Sequence, residues 1–276
     1  MTQKSILITG CSTGIGYACA HALHNKGYLV IASCRYAEDV ARLQQEGLTC
    51  IQLDLSDSDS IRNAVSQTME ICNGNLYALF NNGAYGQAGA LEDLPVEALR
   101  EQFETNLFGW HQLVCEVLPY MRKQQQGRII QNSSVLGFAA MKYRGAYNAS
   151  KFALEGWTDT LRLELHNSNI NISLIQPGPI ETQFRATALK KFRQWIDEEN
   201  SVHSQAYQQQ IDRLQQESSN NRFVLPAEAI VEPLLHALES DNPKIRYPVT
   251  TPTKVFAVLR RILPTKWLDS ILRKAA

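Results

Sequence analysis

The alternation of short apolar runs with helical segments constrains the fold of this chain most strongly. Six such runs occur, and each is followed by a segment long enough to form a crossover helix. Strands connected in this way form a parallel sheet that is covered on both faces. The runs are Ile6-Leu7-Ile8, Leu29-Val30-Ile31, Cys50-Ile51-Gln52-Leu53, Leu76-Tyr77-Ala78-Leu79-Phe80, Arg128-Ile129-Ile130 and Ile172-Ser173-Leu174-Ile175.

Three further segments complete the predicted architecture, and 276 residues suit one large domain better than two small ones. From Val96 to Lys123, apolar side chains recur at the spacing of one helix face. From about Arg185 to Asn221 the chain is polar with scattered aromatic anchors, which predicts a mobile, partly helical insertion over the sheet. A helix from Pro226 and a short strand around Lys244 to Tyr247 would close the sheet.

The charge balance and the cysteines exclude several classes of function. The 27 basic and 27 acidic side chains cancel, so no global field favours binding to nucleic acid. The six cysteines form no CxxC pair and have no histidine at metal-ligand spacing, which predicts reduced thiols, a reducing compartment and no metal site. The sequence has no secretory signal pattern and no apolar run of ~18 residues, so we expect a cytoplasmic protein without a transmembrane segment.

A glycine-rich loop directly follows the first predicted strand. Its sequence is Thr9-Gly10-Cys11-Ser12-Thr13-Gly14-Ile15-Gly16, and a helical pattern then runs to Lys26. Glycines at a strand-to-helix turn let the backbone approach a pyrophosphate, whose charge is stabilised at the helix N-terminus. The spacing differs from GxGxxG, and such turns also occur for packing alone, but the strand–turn–helix context favours a dinucleotide site.

The end of the second strand indicates which dinucleotide would bind. An acidic side chain there would bind the ribose hydroxyls of NAD, whereas this chain has Arg35. A guanidinium suits a 2′-phosphate, and Thr13 could add a hydroxyl donor, so NADP(H) is predicted; the alternative is an arginine that only faces solvent. Asp54 follows the third strand and could accept from the adenine amino group. Its alternative role is helix capping, for which Ser56 and Asp57 are equally placed.

Tyr147 and Lys151 are the leading candidates for catalysis. They lie four residues apart in a helical pattern and therefore share a helix face. A nearby cation favours phenolate, so we expect Lys151 to lower the tyrosine pKa from about 10 toward neutrality, where general acid/base catalysis is most effective. Asn106 lies on the apolar face of the long helix, and a buried amide there needs partners, which can be neighbouring backbone groups.

Taken together, these motifs resemble those of the short-chain dehydrogenase/reductase family, and within it bacterial relatives of the 17β-hydroxysteroid and retinol dehydrogenases, some of which are NADPH-dependent aldehyde reductases. The family's usual Asn-Asn-Ala-Gly stands here as Asn-Asn-Gly-Ala, which puts the local backbone path in doubt. An interval of thirteen residues before the tyrosine selects Ser134 over Ser133. The matching positions are Thr9 to Gly16, Asp54, Asn81 to Ala84, Asn106, Ser134, Tyr147, Lys151, Pro177-Gly178 and Thr182.

The resemblance implies an α/β single-domain Rossmann fold over residues 1–276, with a doubly wound parallel sheet of about seven strands flanked by helices. It also implies roles. Tyr147 would donate and accept the proton, Ser134 would hold the substrate oxygen, Lys151 would lower the tyrosine pKa and bind the nicotinamide ribose, and Asn106 would hold a relay water. The NADP(H) site would comprise Gly10, Ser12, Thr13, Gly14, Ile15, Gly16, Arg35, Asp54, Leu55, Asn82, Gly83, Tyr147, Lys151, Pro177, Gly178, Ile180 and Thr182.

The variable segments bear on the substrate. Residues 1–180 would form the cofactor-binding and catalytic core, residues 183–221 a substrate-binding lid, and residues 226–276 the C-terminal helices and last strand. The aromatic anchors of the lid favour a sizeable, lipophilic aldehyde or ketone, reduced to the alcohol or formed from it. Alternatives are a steroid or retinoid dehydrogenase, a 3-oxoacyl-thioester reductase, and an NADP(H)-sensing regulator, which would be expected to lack Tyr147 or Lys151.

The C-terminal tail from Thr251 to Lys274 mixes apolar with basic residues. Such a pattern can lie on a membrane surface as a peripheral contact, or pack on the protein's own body or on a second subunit. Packing is favoured because Pro264 interrupts the segment. The family resemblance implies a homo-oligomer, either a dimer or a tetramer.

Overall fold

A computed structural model describes residues 3–215 and 222–273. Its centre is a parallel sheet of seven strands, as predicted, and their order across the sheet is β3-β2-β1-β4-β5-β6-β7. The order reverses between β1 and β4, which leaves a crevice at the carboxyl ends of these strands. The strands are β1 (Ser5–Ile8), β2 (Leu29–Cys34), β3 (Thr49–Gln52), β4 (Ala78–Asn81), β5 (Gly127–Asn132), β6 (Ile170–Gln176) and β7 (Arg246–Pro248).

Helices cover both faces of the sheet, so the doubly wound α/β fold is confirmed. The helices are α1 (Gly14–Asn25), α2 (Ala37–Gln45), α3 (Ser58–Ile71), α4 (Val96–Phe103), α5 (Gly109–Lys123), α6 (Gly145–Glu164), α7 (Phe184–Trp195), α8 (Ser204–Gln215), α9 (Val231–Glu239), α10 (Thr251–Ile262) and α11 (Thr265–Leu272).

The alternation of side chains along each strand explains the two cores. In β1, Leu7 packs in the core formed with α3, α5 and α6, whereas Ile6 and Ile8 pack in the core formed with α1, α2 and α9. Successive strand residues point to opposite faces, so a strand buried on both faces is predominantly apolar. All four residues of β1 are buried, and three of them form the apolar run Ile6-Leu7-Ile8, whereas the polar Ser5 donates its hydroxyl to Asn75 O at 2.5 Å.

Some predicted element boundaries differ from the observed ones. β3 ends at Gln52, so Asp54 lies in the loop beyond the strand; β4 begins at Ala78, two residues later than predicted; and β7 begins at Arg246. Strand ends depend on where the neighbouring strand offers hydrogen-bonding partners, and this register does not follow from apolar content.

The predicted helix from Val96 to Lys123 contains a π-helical segment. Residues Glu104–Phe108 have π geometry between α4 and α5, and Asn106 lies within them. Immediately afterwards, α5 begins with Gly109, which packs directly against the backbone of Leu55. Short π segments are frequent at functional sites because they shift the register of side chains along a helix.

The predicted insertion folds into α7 and α8, and the expected partly helical structure is observed up to Gln215. Phe192, Tyr207 and Ile211, three of its apolar anchors, pack together in a third core beside the sheet. A polar segment can remain folded in this way because a few large side chains bury enough area to hold two helices together. The pocket for a sizeable apolar molecule that these anchors suggested stays a prediction. The last six residues of the predicted lid, 216–221, lie outside the described residues.

The C-terminal tail forms α10 and α11, and about half of its large apolar side chains are exposed. Val258, Ile262 and Trp267 are all more than half exposed. The tail contacts the body of the protein through Arg260, whose Nη1 donates to Phe138 O at 2.7 Å and whose guanidinium lies 4.9 Å from the centroid of the Phe152 ring. Contact with a second subunit or a membrane surface stays a prediction, and residues 274–276 lie outside the described part.

Within residues 3–215 and 222–273, no helix is long and apolar enough to span a membrane. The same residues contain no cluster of three or more His, Cys, Asp or Glu side chains arranged to hold a metal ion.

Candidate active site

The carboxyl ends of the parallel strands bring the predicted site residues to one edge of the sheet. Each of the first six strands is followed within a few residues by predicted site positions. In strand order these are the glycine loop, Arg35, Asp54, Asn82, Ser134 and Pro177. The sequence separates these positions by up to 167 residues, and the shared direction of the strands places them together.

The glycine loop forms a tight turn that leaves no room for side chains. Gly10 and Gly14 have φ angles of +70° and +61°, a backbone conformation that favours glycine. A Cβ on Gly16 would collide with the carbonyl oxygen of Gly10, and one on Gly14 would lie 2.9 Å from Thr182 Cγ2. Thr13 precedes α1 and makes no side-chain capping bond to it. The first turn of α1 therefore suits a pyrophosphate, and Thr182 lies beside the same turn.

Asn82 ties the β4 end to the glycine loop. Its Nδ2 donates to Thr9 O at 2.9 Å and Gly10 O at 3.2 Å, and its Oδ1 accepts from Asn132 Nδ2 at 2.8 Å. The Thr9 hydroxyl accepts from the backbone N–H groups of Asn82 and Gly83, both at 2.8 Å. This network holds β1, β4 and β5 in register at the switch point of the sheet.

Arg35 and Asp54 follow β2 and β3, at the same edge of the sheet as the glycine loop. Arg35 is exposed, stacks on the Tyr36 ring at 4.4 Å, and donates to the Tyr36 hydroxyl. The capping role considered for Asp54 is wrong, because Asp57 caps α3 by accepting from the N–H groups of Asp59 and Ser60. Asp54 Oδ1 instead accepts from the Ser56 N–H at 2.9 Å and its hydroxyl at 2.7 Å.

The loop after β6 lies against the C-terminal segment. Pro177 O accepts from Val135 N at 2.7 Å, which joins this loop to the one carrying Ser134. A Cβ on Gly178 would lie 2.7 Å from Thr253 Oγ1, and Ile180 forms an isolated parallel bridge with Leu225. These contacts therefore fix the backbone of the loop after β6, which carries the positions predicted to contact the nicotinamide.

Tyr147, Ser134 and Lys151 come together at the centre of this edge. The Ser134 hydroxyl hydrogen-bonds with Tyr147, and Lys151 Nζ lies 5.8 Å from the centroid of the Tyr147 ring. Lys151 Nζ donates to Asn132 O at 2.8 Å. Tyr147 is 8% exposed and Lys151 1% exposed, so both act in a nearly dry environment.

The pKa of Tyr147 shifts in the direction opposite to the prediction. Burial raises the pKa of Tyr147 to about 12, and the hydrogen bond with Ser134 opposes the rise. Burial also lowers the pKa of Lys151 to about 7, against the attraction of Glu155. The prediction failed because it counted only the charge of the neighbouring lysine, whereas desolvation destabilises the charged form of both side chains.

Asn106 bonds to neighbouring backbone, the alternative considered from the sequence. Its Oδ1 accepts from Tyr85 N at 3.2 Å, and its Nδ2 donates to Tyr85 O at 2.9 Å and to Ser150 Oγ at 3.3 Å. Asn106 thereby fixes the loop after β4 against the helix that carries Tyr147. Its role in holding a relay water stays a prediction.

Comparison with known proteins decides the family. The family model described as short chain dehydrogenase matches residues 4–192. The chain belongs to the short-chain dehydrogenase/reductase family. It is 41% identical to the uncharacterized oxidoreductase YbbO of Escherichia coli over 98% of this chain and 94% of that protein. It is 38% identical to human retinol dehydrogenase 8 over 67% of this chain and 62% of that protein.

A solved short-chain dehydrogenase from Streptomyces avermitilis superposes with a TM-score of 0.79 and 25% identity, covering 99% of this chain and 95% of the other. Sequence similarity and structural superposition therefore agree on the fold and on the oxidoreductase class of this short-chain dehydrogenase/reductase.

The exchange of Gly83 and Ala84 against the usual family pattern has a local explanation. A Cβ on Gly10 would lie 2.5 Å from Gly83 Cα, and one on Gly83 would lie 3.0 Å from Leu55 Cδ1. Position 83 is therefore tightly packed, at the point where the loops after β1, β3 and β4 meet, and a small residue suits it. Ala84 packs at the edge of the core formed with α3, α5 and α6.

Two site residues of this short-chain dehydrogenase/reductase were missed from the sequence. Trp110 Nε1 donates to Gly83 O at 2.9 Å, and its ring lies 4.3 Å from Lys151 Nζ. Phe184 packs edge-on against Tyr147 with 5.3 Å between the ring centroids. Trp110 lies one helical turn after Asn106, and this spacing could have identified it from the sequence. No sequence pattern pointed to Phe184, because its contact with Tyr147 depends on how α7 folds back.

Proposed function

We propose that this protein is an NADP(H)-dependent oxidoreductase that interconverts an aldehyde or ketone and the corresponding alcohol. The observation that carries the proposal is the Tyr147 phenol, which is hydrogen-bonded with Ser134 and one helical turn from Lys151 at the edge where the glycine loop lies. A proton donor, an oxygen-binding hydroxyl and a cation at the switch point of the sheet are what hydride transfer to a carbonyl requires.

The crevice fits a dinucleotide. The uncapped first turn of α1 suits a pyrophosphate, Asp54 suits the adenine amino group, and exposed Arg35 suits a 2′-phosphate. Bound NADPH supplies the hydride to the carbonyl carbon. The residues proposed to hold it are Gly10, Ser12, Thr13, Gly14, Ile15, Gly16, Arg35, Asp54, Leu55, Asn82, Gly83, Tyr147, Lys151, Pro177, Gly178, Ile180 and Thr182.

In the direction of reduction, the phenol of Tyr147 gives its proton to the carbonyl oxygen as negative charge develops there. The Ser134 hydroxyl donates a hydrogen bond to the same oxygen and stabilises that charge. Lys151 binds the nicotinamide ribose, and the relay behind it, with Asn106, returns a proton to Tyr147. The net reaction adds one hydride and one proton across the C=O bond.

Carbonyl reduction requires the protonated form of Tyr147. A phenol with a pKa of about 12 is protonated at pH 7 and is therefore ready to act as the acid. Cytoplasmic NADPH, normally kept reduced, supports the direction of reduction. A lipophilic aldehyde or ketone is the proposed substrate, supported by the likeness to a protein named retinol dehydrogenase. Phe184, which packs on Tyr147, supports a role for residues 183–221 as the lid.

Replacing Arg35 by Asp tests the cofactor assignment. We expect the ratio of kcat/KM for NADPH to that for NADH to fall about tenfold to hundredfold, since hydrogen bonds to a charged group contribute ~1.5–3 kcal/mol. Initial rates with each nucleotide, at a fixed aldehyde concentration, measure the ratio. Arg122→Asp, at the far end of α5, is the matched control and should retain the wild-type ratio. An unchanged ratio in Arg35→Asp would assign the 2′-phosphate to other residues.

A further inference from the structure

Three arginines converge around the N-terminus of the helix that carries Tyr147. Arg144 directly precedes α6, one helical turn before Tyr147. Arg185 lies in the first turn of α7, next to Phe184, whose ring packs on Tyr147. Arg213 lies in the last turn of α8. α7 packs against α8, and the backbone of Gly89 bridges that of Arg144, so these segments form one wall beside the tyrosine.

Arg144 is buried, and no carboxylate among residues 3–215 and 222–273 forms an ion pair with it. It is 8% exposed, and its Nη1 donates to the backbone oxygen of its neighbour Tyr143 at 3.0 Å. None of the ion pairs within residues 3–215 and 222–273 includes Arg144, Arg185 or Arg213. A guanidinium has five donor N–H groups and is rarely buried unless an anion accepts from it.

The acidic side chains of the same region bond elsewhere. Glu92 pairs with His203, and Asp93 accepts from the hydroxyls of Ser201 and Tyr207. Glu101 pairs with Lys191. Within the part of the chain that the structure describes, none of these carboxylates pairs with Arg144, Arg185 or Arg213.

The three positive charges destabilise one another. Burial lowers the pKa of Arg144 to about 10, and the charges of Arg213 and Arg185 lower it further. Burial and the charge of Arg185 lower the pKa of Arg213 as well. Like charges brought together in a partly buried site cost stability, and such a cost is typical of a site that binds an oppositely charged ligand.

We infer that the substrate carries an anionic group, a carboxylate or a phosphate, which binds to Arg144, Arg185 and Arg213 while its carbonyl lies at Tyr147. The inference rests on the proposed function and narrows its substrate to an oxo acid or a phosphorylated carbonyl compound. The lipophilic part would lie between these two ends. Charge-assisted bonds to several guanidinium groups fix the orientation of such a substrate as well as its affinity.

Matched pairs of aldehydes test the inference. The first pair is 4-formylbenzoate and its methyl ester, and the second is 4-formylphenyl phosphate and 4-methoxybenzaldehyde; together they distinguish a carboxylate from a phosphate. We expect kcat/KM to be about tenfold to hundredfold higher for the anionic member of at least one pair, through a lower KM, since charged hydrogen bonds are worth ~1.5–3 kcal/mol. Equal or higher kcat/KM for both neutral members would overturn the inference.

Variants identify the residues responsible. In Arg213→Gln and Arg144→Met the preference for the anionic member should fall at least tenfold. Arg193→Gln is the matched control, because Arg193 is an exposed arginine on α7 and the substitution removes the same charge from the same insertion. This variant should keep the wild-type preference for the anionic aldehyde. Equal loss of preference in all three variants would attribute the effect to net charge and contradict a specific site.

A thermal readout separates this inference from the proposed function. Without substrate, Arg144→Met should melt at a higher temperature than the wild type, because it removes an unpaired buried charge. Terephthalate, a non-reacting dianion, should raise the melting temperature of the wild type more than that of Arg213→Gln. If no aldehyde is reduced but this difference persists, the proposed reaction fails and the anion site stands. If the ester is reduced and terephthalate has no effect, the proposed reaction stands and the anion site fails.

Discussion

Tyr147→Phe is expected to lose at least a hundredfold in kcat for carbonyl reduction, with a much smaller change in KM. The substitution removes only the phenolic oxygen, and general acid catalysis contributes about 10²–10⁴-fold. The proton is needed as charge develops on the substrate oxygen, so its loss destabilises the transition state more than the bound substrate. Initial rates of NADPH oxidation with a saturating aldehyde measure the effect.

Tyr120→Phe provides the control for this substitution. Tyr120 lies on α5, is 38% exposed, and loses the same oxygen far from the sheet edge. Its kcat should remain within twofold of the wild type, roughly the scatter expected of a surface change. A loss of less than tenfold in Tyr147→Phe would show that another group supplies the proton, and the proposed mechanism would then be wrong.

Gly109→Ala is expected to lower the free energy of unfolding by about 3 kcal/mol, the upper end of the usual cost of overpacking. A Cβ at position 109 would overlap the carbonyl oxygen of Leu55 and lie 2.9 Å from its carbonyl carbon. Backbone atoms cannot rotate away as the end of a side chain can, so α5 must move from the loop after β3. Denaturant unfolding, with the slope held common to all variants, measures the change.

Gly156→Ala is the matched control, because it also places a methyl group on a helical glycine. A Cβ at Gly156, on the exposed side of α6, meets no atom within 4 Å. We expect this variant to gain about 0.5–1 kcal/mol, the usual preference for alanine over glycine within a helix. Similar stability changes in the two variants would show that helix propensity, and not the contact with Leu55, governs position 109.

The fold was predicted well from the sequence wherever the pattern lies within a single strand, helix or turn. Ser134 was selected only through the family resemblance, but the apolar runs identified β1 to β6, and the glycine loop and the pair Tyr147 and Lys151 were recognised from local patterns. Each of these signals lies within one element or one turn, and side-chain periodicity reports such local geometry directly. Strand ends were less accurate because they depend on the neighbouring strand.

The pKa values show where local reasoning fails. The spacing of Tyr147 and Lys151 predicts a shared helix face, which is observed, but it carries no information on desolvation. Burial under α7 and beside Trp110 sets the direction of both shifts, and these contacts join residues separated by about 37 or more positions in the chain.

By itself, the sequence determined the order of strands and helices, the family, and the residues available for acid/base chemistry, because each depends on patterns within short segments. Only the tertiary structure decided that Asn106 bonds to the backbone of Tyr85, that the aromatic anchors of the insertion form their own core, and that Arg144 lies buried near Arg185 and Arg213. These facts depend on the packing of distant segments, which no local period encodes.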